Sequence, residues 1–119
     1  MNLSHQIMNL LEESEEVRIS DPIYDDMPFP GQWKIFITAY QGENPTQDAV
    51  GYIELSLYEK ELRIEMIRVK DTMRRKGIGS KLVRAAQEFA DSEGFELIWT
   101  YASEEGAALK DALGYKDET

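Results

Sequence analysis

Residues 73–82 read MRRKGIGSKL: three consecutive cations, then two glycines one residue apart, then the first leucine of an apolar pattern. The first N–H groups of a helix lack internal partners, and the helix dipole adds partial positive charge there. Glycines at positions 77 and 79 remove the side chains that would hold a ligand away from those groups. Arg74, Arg75 and Lys76 add full charges beside them. Together these make a phosphate or diphosphate cradle built mainly from backbone. Two glycines in a helical first turn cost on the order of 1 kcal/mol each relative to alanine. A turn that only caps a helix has no need of that cost. A Walker loop is excluded because no glycine stands five residues before Gly79, and a dinucleotide fingerprint because Leu82 replaces its third glycine.

The charge pattern points to the same place. Residues 1–60 carry eleven acids against three bases, yet positions 63–84 hold eight bases and two acids, in a chain of formal charge −10. An acidic exterior disfavours nucleic acid and anionic membrane and favours a cationic partner, while the basic island asks for a compact anion. There is no cysteine, which removes disulfides, thiolate nucleophiles and cysteine-bound metals, and the single histidine, His5, cannot form a cluster. No metal is expected. Apolar stretches are too short to span a membrane and no signal peptide is evident, so a cytoplasmic location is expected.

One domain is expected over residues 1–119. Leu3, Ile7, Leu10 and Leu11 recur at helical spacing, predicting an amphipathic N-terminal helix within 1–20. Residues 21–32, with three of the four prolines, read as a loop, and the core is expected from 33 to 119. WKIFITAY, VGYIELSLY and Leu62–Lys70 predict three antiparallel strands, the last two joined tightly through YEKE. In the third, Leu62, Ile64 and Met66 alternate but are followed by Ile67 and Val69. The phase slips between Met66 and Ile67, the signature of a β-bulge. Ile78, Leu82, Val83, Ala86, Phe89 and Ala90 predict a helix stopping at Gly94. FELIWTYA is a fourth strand, and SEEGAALKDALG a second helix after an N-capping Ser103.

The stretch VKDTMRRKGIGSKLV resembles motif A of the GCN5-related N-acetyltransferase (GNAT) superfamily, with Arg74, Gly77 and Gly79 in the slots of [Q/R]-x-x-G-x-[G/A]. Leu113-Gly114-Tyr115 resembles that family's Leu-Gly-Phe/Tyr ending, and the slip falls where its fourth strand carries a bulge. The resemblance implies an α/β domain with a mixed, mainly antiparallel sheet and flanking helices, here truncated at both ends. It implies acetyl-CoA as cosubstrate: Ile67, Arg68 and Val69 pairing with the pantetheine arm, and Arg74, Arg75, Lys76, Gly77, Ile78, Gly79 and Ser80 at the diphosphate. The implied activity is N-acetyl transfer to a cationic primary amine, from a protein, a polyamine or a small molecule.

Direct attack needs a base for the ammonium, a donor to polarise the thioester carbonyl and an acid for the thiolate. Glu65 and Glu54 lie out of phase with the apolar residues and are the candidate bases. A backbone N–H near Val69 is the candidate donor, and Tyr101 the candidate acid. The resemblance fails where many members carry a tyrosine and an asparagine, at Lys110 and Ser103. A catalytically silent module is therefore the alternative. The absent outer pieces imply that a second subunit or a large acceptor completes the acceptor site.

Overall fold

The computed structural model describes residues 16–99. Six strands form one sheet: β1 (Arg18–Ile19), β2 (Ile23–Phe29), β3 (Gln32–Tyr40), β4 (Ala49–Tyr58), β5 (Glu61–Val69) and β6 (Glu96–Trp99). Its order is β1-β3-β4-β5-β6, with β2 also paired to β3. All pairings are antiparallel except β5 with β6. The connection between those two carries the one described helix, α1 (Ile78–Glu93), as a parallel crossover requires. The sheet is thus mixed and mainly antiparallel, as expected.

Strand alternation places Ile35 and Ile37 of β3, Ile53 and Leu55 of β4, and Leu62 and Ile64 of β5 on one face, all buried. The apolar stripe of α1 (Ile78, Leu82, Val83, Ala86, Ala90) covers that face. Removing these side chains from water is the main term holding sheet to helix. The helix stops at Gly94, as its sequence predicts, and the Phe95 N–H closes it onto the Ala90 carbonyl at 2.8 Å.

Residues 21–32 are a correction: β2 and a Pro30-Gly31 turn occupy the expected loop, since Phe29 pairs with Gln32 across that turn. Proline at the second turn position and glycine at the third, here at φ +79°, suit a type II turn. Prolines are excluded only from central strands. Pro28 sits where β2 slips register, on a strand paired on one side alone among the described residues. The helix expected within 1–20 likewise does not reach 18–19, because Val17 and Ile19 alternate inward against the core while Glu16 and Arg18 stay exposed. The core therefore begins before residue 33, and five strands, not three, run antiparallel. The remainder of the first helix, the last residues of FELIWTYA, the second helix with Ser103 and Lys110, Leu113-Gly114-Tyr115, His5 and Tyr101 lie outside the described residues.

Candidate functional site

The predicted bulge exists, one residue earlier than the pattern implied. Glu54 pairs with Met66, and the next residue, Leu55, pairs with Ile64, so Glu65 is the inserted residue. Met66 misleads because it is apolar. Its side chain belongs to the outer face, where the Tyr52 hydroxyl lies 3.8 Å and Arg68 Nε 3.1 Å from its sulfur. Two consecutive residues, Glu65 and Met66, thus spend one turn of the alternation, and Ile67 returns to the core.

Among the described residues, which end at Trp99, β6 pairs with β5 from Glu61 to Ile64, while β5 continues past the bulge to Val69. Beside the end of β5 opens a cleft of about 520 Å³ lined by Ile67, Arg68, Val69, Lys70, Asp71, Thr72 and Arg74. Four of the predicted coenzyme residues, Ile67, Arg68, Val69 and Arg74, therefore share one cleft. Arg74 also pairs with Asp71 at 3.1 Å.

Past the cleft, one 3₁₀ turn (Asp71–Met73) anchored by buried Met73 leads into α1. Arg75 and Gly77 both take left-handed backbone, at φ +64° and +77°. For Gly77 this conformation is free, but for Arg75 it costs roughly 1 kcal/mol. Strain kept at an exposed loop is compatible with a loop shaped for a ligand. Gly77 is the N-cap and supplies no side-chain bond, and no acid stands in the first helical turn. The N–H groups of Ile78, Gly79 and Ser80 are therefore uncapped, facing a loop with exposed Arg75 and Lys76. A site with free amides, a dipole's positive end and cations binds an anion.

Gly51 fastens this assembly, and its role lay unread in the sequence. A Cβ on Gly51 would stand 2.8 Å from the Arg68 carbonyl oxygen, 3.3 Å from Val69 Cγ2 and 3.4 Å from Ile78 Cγ2. β4, the end of β5 and the start of α1 converge at that point. A lone glycine inside a strand pattern, as in VGYIEL, is the signal for such an approach.

On the outer face, Ser56 Oγ donates to Glu65 Oε1 at 2.8 Å. Arg63, a conceivable ionic partner for Glu65, instead pairs with Glu61 at 3.0 Å. Glu54 lies half-buried one strand away, between Phe36 and Met66 in register. One candidate base is thus the inserted residue of the bulge, and the other, Glu54, pairs with the next residue on β5, Met66. Among the described residues no group of acids and histidines gathers to hold a metal ion, and no helix is long and apolar enough to cross a membrane.

Residues 4–112 match the model of the acetyltransferase (GNAT) family. The chain belongs to that family. Solved GNAT structures agree in fold. The IAA acetyltransferase from Bacillus cereus ATCC 14579 is 25% identical with a TM-score of 0.63, over 87% of this chain and 79% of that one. The PaiA N-acetyltransferase from Thermoplasma acidophilum, solved with coenzyme A, is 20% identical with a TM-score of 0.60, over 71% and 53%. The ribosomal-protein-alanine N-acetyltransferase from Brucella melitensis is 16% identical with a TM-score of 0.59, over 72% and 64%. The chain thus spans between half and two thirds of the length of the last two. No curated protein matches it significantly.

Proposed function

We propose that this GNAT chain transfers the acetyl group of acetyl-CoA to a primary amine borne on a cationic acceptor. The observation that carries the reading is the uncapped start of α1 with its left-handed Arg75 and Gly77, placed just past the bulged strand β5. The amides of residues 75–80 hold the diphosphate, and the backbone of Ile67–Val69 pairs with the pantetheine arm as an added strand.

Bound there, the coenzyme supplies an acetyl thioester. Glu65, or Glu54 beside it, takes the proton from the incoming ammonium. The neutral nitrogen forms a bond to the carbonyl carbon, whose oxygen is held by a backbone N–H near Val69. As the carbon–sulfur bond breaks, Tyr101 gives its proton to the departing thiolate, and the second proton lost by the nitrogen passes through water to restore the Tyr101 hydroxyl. The products are an N-acetyl amide and the free coenzyme thiol.

Two features favour binding without turnover as the second reading: Lys110 and Ser103 stand where many relatives place tyrosine and asparagine. Calorimetry with acetyl-CoA, followed by thiol release against a panel of amines and lysine peptides, separates the cases. Binding with release supports transfer, binding without release supports the silent module, and no binding removes both.

A further inference from the structure

The cleft beside the end of β5 carries charge of both signs. Among the described residues, Arg68, Lys70 and Arg74 line it together with one acid, Asp71. The cations suit an anionic ligand. The carboxylate does not, because a negative group in the same cleft repels a phosphate. A site shaped only for tight binding has no use for it.

Local geometry decides where this acid points. Asp71 opens the 3₁₀ turn, and Arg74 follows its last residue, with the Arg74 N–H 3.4 Å from the Asp71 carbonyl oxygen. In such a turn, side chains three residues apart stand one above the other. Asp71 Oδ1 and Arg74 Nη2 accordingly meet at 3.1 Å. The turn itself is fastened down. The Lys70 N–H donates to the Val50 carbonyl and the Met73 N–H to the Lys70 carbonyl, both at 2.8 Å, and the Met73 side chain is buried. The pair is therefore set by anchored backbone. It is also wet, with the Arg74 and Asp71 side chains 50% and 89% exposed. An ion pair so exposed is weak, whereas a phosphate can take a guanidinium through two nitrogens at once.

We infer that Asp71 is an internal competitor of the coenzyme: its carboxylate holds the Arg74 guanidinium in the unliganded chain and gives it up to a coenzyme phosphate. This rests on the reading of the cleft as the coenzyme's. Binding then includes the breaking of the Asp71–Arg74 pair, and the bound phosphates keep a carboxylate close by. Acetyl-CoA and the free coenzyme thiol carry the same phosphates and differ only at the thioester end. Asp71 therefore weakens both by the same factor, slackening capture of the substrate and favouring release of the product. It acts through Arg74, as a positioning residue, and not on the reacting atoms.

Calorimetry of the full chain with acetyl-CoA and with the free coenzyme, at about 50 mM and about 500 mM salt, tests this. Asp71→Asn is expected to tighten both ligands about threefold or more in the dilute buffer and less in the concentrated one, with the melting temperature unchanged. In an Arg74→Gln background the same substitution gains a smaller factor, because the pair is already absent. Glu59→Gln, an exposed acid in the turn at the other end of β5, controls for the loss of one charge and leaves affinity nearly as it was. Without any coenzyme, the Arg74 side-chain NMR signal moves in Asp71→Asn. The inference is overturned, and the coenzyme reading stands, if the parent chain binds but Asp71→Asn binds no tighter or more weakly. The same holds if its gain equals that of Glu59→Gln, if the gain persists in full with Arg74→Gln, or if the Arg74 signal stays put. A parent chain that binds neither ligand removes the reading and the inference together.

Discussion

Ser56 and Glu65 face each other across β4 and β5, the hydroxyl donating to the carboxylate at 2.8 Å. Glu65 is also the residue that the bulge leaves without a register partner on β4. The one residue freed from the ladder is thus oriented by a side chain instead of by backbone pairing. If it is the base, Glu65→Gln lowers kcat about a hundredfold with acetyl-CoA affinity unchanged. Ser56→Ala, which removes only the orientation, costs less than that. Steady-state kinetics with a lysine peptide check both, and full turnover in Glu65→Gln and in Glu54→Gln removes the assignment.

Arg75 and Lys76 are exposed, so their attraction for a diphosphate is screened by salt. Arg75→Ala/Lys76→Ala is expected to weaken acetyl-CoA binding several-fold in dilute buffer. The difference from the parent narrows as salt is added. A loss of affinity that does not respond to salt assigns these side chains a shape role instead.

Gly51 has no room for a methyl group, because its nearest neighbour is backbone, the Arg68 carbonyl at 2.8 Å. Gly51→Ala must push β5 or the start of α1 aside, at a cost of about 1–3 kcal/mol. In urea the midpoint drops while the slope holds. By contrast, nothing lies within 4 Å of a Cβ on Gly77. Gly77→Ala therefore costs only its left-handed backbone, about 1 kcal/mol. Equal losses at the two positions contradict the distinction.

Tyr24 is held above its ordinary value of 10.0, first by burial and second by Glu93. The folded chain keeps this proton more tightly than the unfolded one. The resulting stability is complete below pH 10 and is lost as pH climbs through the raised folded value. Melting temperature is expected to fall across that alkaline window less steeply in Tyr24→Phe. Ultraviolet titration of Glu93→Gln, with Tyr24→Phe as the reference, is expected to show a Tyr24 midpoint lowered but still above 10, since burial remains. An unmoved midpoint excludes Glu93 as a cause.

The helix at 78–93 and its glycine stop were legible because a 3.6-residue apolar period and a terminal glycine are local signals. So were the glycine loop and the presence of a bulge. The bulge's residue was not: apolar Met66 prolongs the even phase of the pattern, and only Tyr52 and Arg68 on the outer face explain where its side chain goes. The proline-rich stretch has the composition of a loop because composition records what a strand dislikes, not where the strand lies. An edge accepts proline that an interior position refuses.

Local order therefore determined which residues offer unpaired amides and positive charge, since glycine freedom, helix polarity and charge belong to the chain itself. Tertiary structure alone decided that these amides meet the bulged end of β5, that Gly51 is the point where three elements touch, and that Tyr24 of β2 packs on Phe89 of α1. Those are contacts between segments far apart in sequence, and no periodicity within one segment encodes the distance to another.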